Sequence, residues 1–503
     1  MKRPLAFVLA ALLAGTGLAP AQAADDVFTV AANFEIKGPE PATSGFIFTR
    51  MGVAETLVDA GRDGTLRPGL ATGWEVSEDG LRWRFALRTG VRFHDGTPMT
   101  AAAVVHALEI ALAKPGPQSR LPVSAIGAED TATVAISLTE PFAALPAYLA
   151  EFRAQILAPA SYDADGTAVA VIGTGPYRIT ALVPPLSLEA EAFDGYWGPQ
   201  PALRKVAYAG VSRVETRALM AQSGDADMVF GLDPASVARL GRSDAVTVHS
   251  VAIPRTLLLK VNAAHPSLNS PEARRGLSLA IDREGLARAV LRYPEGADQL
   301  FAPGVAAWHD DALEPLHYDP EEARAIFAGL GWEPGRDGIL VRGGERFALT
   351  VTTYPDRPEL PLTAAVLQQQ FRAVGIELEI AATNSSAIPA GHQDGSLELG
   401  LVARNFGLIP DPIGTVLSDF APSGDWGAMN WENAEMAELA AEMARGEGGA
   451  AERARMAAIL QEELPVIPIA WYRQTLAVGK DVEGAAVDPW ERSFGLQDLR
   501  IAE

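Results

Sequence analysis

The sequence predicts an α/β protein with more than one domain, and two observations support this. The chain has 503 residues, of which 48% are hydrophobic, so it can bury more than one core, and its length favours two or three domains. Strand-like runs of period two also alternate with helix-like runs, as in residues 211–230, where ETRALMAQSG precedes ADMVFG. These patterns indicate mixed sheets flanked by helices.

The most informative stretch is a predicted hairpin that runs into a helix. Residues 81–87 alternate apolar and polar side chains, as a half-buried strand does. The pair Asp79-Gly80 suits a tight turn, so we expect residues 73–76 and 81–87 to form an antiparallel hairpin. Thr100 stands where an N-cap is needed ahead of the apolar run AAAVVHALEIALA, which predicts a helix there.

The same patterns place the remaining elements along the chain. Alternating or β-branched runs predict strands, and apolar residues at helical spacing predict helices. The predicted strands are 27–32, 131–139, 256–262, 347–353, 376–382 and 467–478, and the predicted helices are 141–158, 272–291, 320–330 and 360–374.

Composition narrows the possible functions. The 63 acidic and 41 basic residues give a net charge of -22, which argues against a nucleic-acid partner because phosphate binding requires clustered Lys and Arg. The chain has no cysteine. This excludes disulfides, a thiolate metal site and a cysteine nucleophile.

Residues 1–23 have the parts of a secretory signal peptide. Two basic residues precede an apolar segment at 4–13, and Ala21 and Ala23 form an A-x-A site, so we expect cleavage after Ala23. A retained anchor is disfavoured because that segment is shorter than the roughly 20 residues that cross a bilayer. Since there is no cysteine to lipidate, we expect a periplasmic protein that is not lipid-anchored.

Catalytic patterns are missing from the sequence. No two of the seven histidines stand three or four residues apart, so there is neither an H-E-x-x-H motif nor a helical His pair, and G-x-S-x-G is also absent. His309-Asp310-Asp311 with His317 is better explained as a solvated loop than as a metal site. GTGPY at 173–177 leads into a strand, so it is not a phosphate loop. We therefore expect no enzyme activity and no cofactor or metal.

Residues 68–101, PGLATGWEVSEDGLRWRFALRTGVRFHDGTPMTA, resemble the signature block of the family 5 extracytoplasmic solute-binding proteins, which are the peptide and nickel receptors of ABC importers. Seven further landmarks resemble the same family in the same order, so the resemblance covers essentially the whole mature chain. They are GTGPYRI (173–179), DGYWG (194–198), TLLLKVN (256–262), ARRGLSLAIDRE (273–284), YDPEEARAIFAGLGW (318–332), NFGLIPDP (405–412) and ELPVIPIAWYRQ (463–474).

The resemblance implies a two-lobed periplasmic binding protein fold, class II-like and of the large family 5 type, with an extra subdomain in the first lobe. Lobe I would comprise 24–255 plus 476–503, with the subdomain at about 56–172, and lobe II would comprise 256–475. Hinge crossings are expected at about 256–262 and 467–478.

The resemblance also directs attention to a loop that follows the strand LELGLVA. Prolines fix the backbone of residues 404–412, so this loop can hold a ligand with little ordering cost. In relatives the region supplies an aromatic wall and, in peptide receptors, a carboxylate for the ligand's ammonium. Phe406 is the candidate wall, beside Asn405, and Asp411 or Arg404 would meet a ligand charge.

Four more residues complete the candidate ligand-binding set. Arg153 lies near the position where the metal-chelate branch has an arginine for a ligand carboxylate, although a solvated helix-end arginine is the simpler interpretation. Tyr354 follows the strand 347–353. Trp426 and Phe494 are further candidate cleft aromatics, with core packing as the alternative because aromatic side chains dominate cores.

The resemblance implies the substrate-binding component of an ABC importer, which closes on a small solute and delivers it to a permease with a separate ATPase. Di- or oligopeptide is the first ligand class. A nickel chelate is the alternative, although Pro410 stands where the nickel-type pattern has a tyrosine and Asp425-Trp426 where it has a histidine. A secreted hydrolase is the rival of another class. We expect a monomer.

Overall fold

The computed structural model describes residues 27–355, 357–420 and 426–502; the predicted signal peptide lies outside them. The α-helices are α1 (Pro41–Arg50), α2 (Ala101–Ala113), α3 (Leu145–Tyr148), α4 (Val214–Ser223), α5 (Pro234–Leu240), α6 (Pro271–Leu279), α7 (Arg283–Leu286), α8 (Pro320–Gly329), α9 (Glu359–Ala373), α10 (Ala387–Asp394), α11 (Ile413–Asp419), α12 (Ala434–Arg445) and α13 (Ala450–Glu463). A π-helical segment follows α7 at Ala287–Leu291, and 3-10 turns occur at Pro117–Arg120, Phe152–Ala154, Pro159–Ser161 and Leu496–Asp498.

The strands are β1 (Phe28–Ala32), β2 (Val58–Ala60), β3 (Leu66–Pro68), β4 (Ala71–Val76), β5 (Arg82–Leu87), β6 (Val123–Ala128), β7 (Thr133–Leu138), β8 (Tyr177–Val183), β9 (Ser187–Ala192), β10 (Lys205–Gly210), β11 (Met228–Phe230), β12 (Val246–Val261), β13 (Glu333–Pro334), β14 (Leu340–Arg342), β15 (Glu345–Arg346), β16 (Ala348–Thr353), β17 (Glu377–Ala382), β18 (Leu399–Asn405), β19 (Val466–Gly479), β20 (Val482–Glu483) and β21 (Arg500–Ile501).

A mixed sheet extends through both halves of the molecule. In the described part of the chain it has ten strands in the order β17-β16-β18-β12-β19-β11-β1-β10-β9-β8. Strand β1 pairs in parallel with β10 and β11, and β16 pairs in parallel with β17 and β18, whereas the central pairs are antiparallel. This arrangement confirms the predicted α/β class with mixed sheets and flanking helices.

Two long strands connect the two halves of this sheet. Strand β12 has 16 residues and β19 has 14, and they pair antiparallel along most of their length. At one end β19 pairs with β11, and at the other β12 pairs with β18. The strands predicted at 256–262 and 467–478 thus form the connection between the halves; the positions at which the lobes rotate stay a prediction.

Separate hydrophobic cores lie on the two sides of these strands. One core contains β12, β16, β18 and the helices from α6 onward, with Phe327, Phe347 and Trp308 among its fully buried side chains. A second core lies under β1, β8 to β11 and the C-terminal segment. We call the halves that contain them lobe II and lobe I. Two cores that share a pair of strands are what the two-lobed prediction requires.

The predicted hairpin and helix form the extra subdomain of lobe I. Strands β4 and β5 pair antiparallel in a sheet of order β4-β5-β7-β6, and Gly80 adopts a φ of 71° in the turn between them. Thr100 caps α2, its hydroxyl accepting a hydrogen bond from the Ala103 N–H at 3.3 Å. Trp83, Phe85 and Val104 belong to a core of this subdomain alone.

Two predicted helices are shorter than expected. Residues 141–158 contain only α3 and a 3-10 turn, because the buried carboxylate of Glu151 accepts bonds from the Arg153 N–H and the Gln118 amide, both at 2.9 Å, and bends the chain. Residues 272–291 break after α6, where Asp282 caps α7 by accepting from the Gly285 N–H at 2.8 Å. In both places a side-chain carboxylate competes with the helical hydrogen bonds.

A cavity between the lobes as the candidate ligand site

A cavity of about 270 Å³ lies where the two lobes and the C-terminal segment meet. Lobe I lines it from α1 and the 150–152 turn, lobe II from β12 and the loop after β18, and the C-terminal segment closes it. The lining residues are Phe34, Phe46, Thr49, Arg50, Ala150, Phe152, Arg255, Asn405, Gly407, Leu408, Trp490, Glu491 and Arg492. A cavity of about 370 Å³ on the outside of lobe II involves that lobe alone and so cannot sense lobe closure.

Arg50 is the basic residue of the lobe I wall. It ends α1 and is 9% exposed, with its guanidinium carbon 5.0 Å from the Phe34 ring centroid and 5.5 Å from that of Phe46. Its Nε donates to the backbone carbonyl of Glu491 at 2.5 Å. Burial lowers the pKa of Arg50 and Glu491 opposes this effect, but an arginine stays charged at neutral pH. A guanidinium held among aromatic rings is already partly desolvated, which strengthens its attraction for an anion.

Arg255 comes from the central strand at an irregularity. The pairing of β12 with β19 shifts register between Ala252 and Thr256, next to Pro254, which has no N–H to donate. Such a bulge redirects a side chain, and it places Arg255 on the cavity wall. There its guanidinium donates to Glu491 Oε2 at 2.8 Å.

Glu491 lies between these two arginines because of the turn that carries it. The Asp488 carboxylate accepts bonds from the N–H groups of Trp490, Arg492 and Ser493, at 2.9 to 3.0 Å, so residues 488–493 wind around it. Glu491 adopts a φ of 55° in this turn, a conformation that costs a non-glycine residue free energy. Burial alone would raise the pKa of Glu491, but the charges of Arg255 and Arg50 together outweigh burial and lower it.

The group formed by Arg50, Arg255 and Glu491 has one more positive than negative charge. We call it the cleft triad. A further lining arginine, Arg492, pairs with Asp59 at 3.1 Å and also donates to the Ala150 carbonyl. Among the residues lining the cavity, all of which the structure describes, Glu491 is the sole carboxylate. The site therefore has an excess of positive charge beside a set of aromatic side chains, which are Phe34, Phe46, Phe152 and Trp490.

A neighbouring polar cavity of about 340 Å³ shares Arg50 and Arg492 with the first and holds a different carboxylate. Glu55 accepts bonds from Thr174 Oγ1 at 2.8 Å, Trp197 Nε1 at 3.0 Å and the Tyr196 hydroxyl at 3.3 Å. Burial raises the pKa of Glu55 to about 7 in spite of these bonds. The pKa stays high because no cation in the described part of the chain bonds to this carboxylate.

The GTGPY segment lies beside Glu55, and its close contacts with the neighbouring backbone show why two of its positions are glycine. A Cβ on Gly173 would lie 2.1 Å from the Val53 carbonyl oxygen, and one on Gly175 2.2 Å from that of Gly52. Close backbone approach, not a special turn conformation, therefore requires them. His94 bonds to the Gly175 carbonyl through Nε2 at 3.0 Å, and burial lowers the pKa of His94 to about 4.

The charged residues predicted in the 404–412 loop are paired within lobe II. Arg404 donates to both carboxylate oxygens of Asp419, at 2.5 and 2.6 Å. Asp411 accepts from Trp308 Nε1 at 3.1 Å and from Arg453 at 3.2 Å. Neither side chain is among the lining residues of the interlobe cavity, so in this structure both hold the loop and α11 in place.

The aromatic candidates also lie mainly in cores. Phe406 is 1% exposed and contacts Phe301, and Tyr354 is 7% exposed in the core of lobe II. Trp426 packs against that same core. Phe494 is 3% exposed in the core of lobe I, where its ring centroid is 6.0 Å from the Arg50 guanidinium carbon. It therefore packs near Arg50 within the core and does not line the cavity.

Two of the predicted residues remain to be placed. Asn405 lines the interlobe cavity, and its Oδ1 accepts from the Gly407 N–H at 2.8 Å. Arg153 pairs with Glu151 and stacks on the Phe152 ring at 4.3 Å, beside a different, small pocket. Of the eight candidates, Asn405 is thus the one on the cavity wall.

Sequence reasoning missed the cleft triad. Arg50 and Glu491 are separated by 441 residues and Arg255 and Glu491 by 236, so no local pattern connects them. One weak signal was available, because Pro254 and Arg255 stand immediately before the predicted crossing strand 256–262, and a proline next to a strand often marks a bulge.

Neither a metal cluster nor a membrane span is found in the residues that the structure describes. No three or more His, Asp or Glu side chains there are grouped so as to hold a metal ion. In the same ranges, no helix combines the length and apolar character needed to cross a bilayer.

Comparison with known proteins identifies relatives along most of the chain. Residues 65–426 match the family described as bacterial extracellular solute-binding proteins, family 5 Middle. The chain is 28% identical over 436 residues to the nickel-binding periplasmic protein of Escherichia coli (strain K12), with 82% of each chain covered. It is 28% identical over 403 residues to the glutathione-binding protein GsiB of Salmonella choleraesuis (strain SC-B67), with 75% of each covered.

Solved structures agree in fold. The nickel ABC transporter from Bacillus halodurans superposes with a TM-score of 0.83 at 25% identity, covering 94% of this chain and 99% of that one. The match extends over both lobes and the subdomain, as the resemblance implied.

Proposed function

Because this chain belongs to the bacterial extracellular solute-binding proteins of family 5, we propose that it is the periplasmic substrate-binding component of an ABC importer. It binds a small solute without catalysis and delivers it to a membrane permease that a separate ATPase drives. The observation that carries this proposal is the cavity of about 270 Å³ whose walls come from both lobes. A ligand there touches both lobes, so it favours the closed arrangement over the open one.

Contacts between the lobes support a clamp. The Ala143 N–H of lobe I donates to the Ala444 carbonyl of lobe II at 2.8 Å. The Tyr148 ring packs over Gly414 of α11 so closely that a Cβ on this glycine would lie 2.8 Å from a ring carbon. Phe142 and Tyr148 also pack against the lobe II core. These contacts can form and break as the lobes move, while β12 and β19 stay paired.

A short peptide is the first ligand class that we propose. Aromatic and aliphatic side chains in the wall suit apolar peptide side chains, and arginines suit a carboxylate terminus through charge-assisted bonds. The relationship to a glutathione-binding protein also favours a peptide-like solute.

A metal chelate is the second candidate, favoured by the relationship to a nickel-binding periplasmic protein. In that case the chelating molecule would supply the metal's ligands, and its carboxylates would meet the arginines of the wall. The departures at Pro410 and Asp425-Trp426 from the nickel-type pattern weigh against direct coordination.

Thermal unfolding of the secreted protein with added solutes tests the proposal. We expect short peptides or glutathione to raise Tm by several degrees, since a ligand at 100 times its Kd stabilises by about 2.7 kcal/mol. A rise with Ni(II) plus histidine, and none with peptides, would reverse the order of the two candidates. Turnover of peptide or ester substrates that one point mutation abolishes would show a hydrolase instead.

A further inference from the structure

The wall of the interlobe cavity carries more positive than negative groups. Arg50 and Arg255 share one carboxylate, that of Glu491, with which Arg255 forms a 2.8 Å bond. The Arg50 terminal nitrogen is 3.9 Å from Glu491 Oε1, too far for a hydrogen bond. Arg50 therefore lines the cavity without a full partner for its terminal N–H groups among the residues that the structure describes, although the side chain is only 10% exposed.

A buried guanidinium without enough acceptors is costly, and the cost falls when a ligand supplies them. Trp490, which also lines the cavity, has a buried indole N–H with no acceptor among the described residues. Donors that lack acceptors therefore outnumber acceptors that lack donors in this wall. A carboxylate carries two acceptor oxygens and one negative charge, which matches the terminal N–H groups of Arg50 and the single excess positive charge of the cleft triad.

The rest of the wall indicates which kind of chemical group lies next to the ligand carboxylate. Phe34, Phe46 and Phe152 form a chain of edge-to-face contacts, with centroids 5.3 and 5.7 Å apart, beside Arg50. No second carboxylate faces the cavity from the described lining residues, so a ligand ammonium would have only Glu491, which the two arginines already hold. The wall therefore complements an apolar body next to an anion better than it complements a zwitterion.

We propose that the cavity selects solutes in which a carboxylate adjoins an apolar group, with Arg50 and Arg255 holding the carboxylate and Glu491 acting as an internal competitor for the same arginines. This proposal rests on the proposed receptor function and narrows its ligand class. Glu491 keeps the arginines compensated in the empty protein, and it lowers the affinity for ligand anions by occupying part of their site.

Matched pairs of ligands test this with the unmodified protein. The probes are N-acetylated di- and tripeptides that end in phenylalanine, each as the free acid and as the C-terminal amide, measured by titration calorimetry. We expect the acids to bind at least tenfold more tightly than the amides. Removing the acetyl group, which restores the ammonium, should weaken binding severalfold, because Glu491, the one carboxylate among the described lining residues, is already held by the two arginines.

Variants then assign the preference to the cleft triad. Arg255→Gln should reduce the ratio of acid to amide affinity to below threefold. Glu491→Gln should strengthen acid binding at least threefold, because the competitor is lost. Arg288→Gln is the matched control, since Arg288 is exposed on lobe II and paired with Glu284 at 2.8 Å; it should leave the ratio unchanged.

The outcomes separate this inference from the receptor function. Equal binding of acids and amides, or weaker acid binding in Glu491→Gln, would overturn the role of the triad while leaving the receptor function intact. The same holds if neither series binds but glutathione or Ni(II)-histidine does. Failure of every solute to bind the folded protein would overturn the receptor function itself.

Discussion

Two groups in this molecule combine arginine with a carboxylate, but one has a structural role and the other lines the candidate binding site. Arg404 and Asp419 form a closed pair inside lobe II, with two bonds of 2.5 and 2.6 Å and a carboxylate side chain that is 3% exposed. The cleft triad sets two arginines against one carboxylate at the edge of a cavity. The comparison teaches that the balance of charges and the position on a cavity wall, not the residue type, separate a structural group from a binding group.

The closed pair should be the more costly to break. Arg404→Met leaves Asp419 buried without its partner, and removal of one member of a buried pair typically costs about 3 to 5 kcal/mol. Arg255→Met should cost about 1 kcal/mol, because Glu491 keeps Arg50 nearby and borders the cavity. Urea unfolding of both variants measures the difference. Equal losses of unfolding free energy in the two variants would mean that the closed pair and the cleft triad contribute equally to stability.

A double variant sharpens this test. Arg404→Met combined with Asp419→Leu removes both charges, and replacement of a whole buried pair by apolar residues is often nearly neutral. We therefore expect the double variant to recover most of the stability lost in Arg404→Met. If it stays as unstable as the single variant, packing around Arg404 rather than its charge explains the loss.

Glu55 extends the comparison to a partly buried carboxylate to which no arginine of the described residues is bonded. Its pKa of about 7 lies above the 4.5 of a free side chain. As pH rises from 4.5 to 7, the unfolded chain releases this proton while the folded protein keeps it, so stability falls through that window and the loss levels off above it. Glu55→Gln removes the titration.

We expect the difference in unfolding free energy between the unmodified protein and Glu55→Gln to decrease by about 3 kcal/mol between pH 4.5 and pH 8, since the pKa rises from 4.5 to about 7 on folding. Urea unfolding across this range checks it. His94, whose pKa is lowered to about 4, contributes the opposite slope as pH falls below 6.5, but both proteins contain it and its effect cancels. A difference that is flat with pH would mean that Glu55 titrates like an exposed carboxyl.

The contrast also shows what a single sequence can predict. The hairpin at Gly80 and the Thr100 cap depend on neighbours within a few residues, and each was located from the local pattern. The crossing role of β12 and β19, which pair with each other across about 200 residues of sequence, was implied by the resemblance. The partner of Arg404 is 15 residues away across a loop, and that of Arg50 is 441 residues away. Whether an arginine is neutralised depends on such distant partners. The charges of the predicted loop are therefore structural, and although the loop contributes Asn405, Gly407 and Leu408 to the cavity wall, the charged residues of that wall came from elsewhere.

The closed pair and the cavity are linked through α11, which offers the smallest and most selective test. Asp419 ends this helix, and Gly414 near its start contacts Tyr148 of lobe I. In Gly414→Ala the new Cβ would lie 2.8 Å from a Tyr148 ring carbon and 2.9 Å from its hydroxyl, so the lobes would have to stay further apart. Alanine is also the better helix former by about 1 kcal/mol.

Stability and affinity should therefore change in opposite directions in Gly414→Ala. The ligand-free protein should be as stable as the unmodified one or slightly more so, while a cost of about 1 kcal/mol on closure weakens ligand binding about fivefold. Calorimetry and urea unfolding measure the two effects. Adding Tyr148→Ala removes the obstruction and should restore part of the affinity in a double-mutant cycle. Unchanged affinity in Gly414→Ala would mean that ligand binding does not require this contact between the lobes.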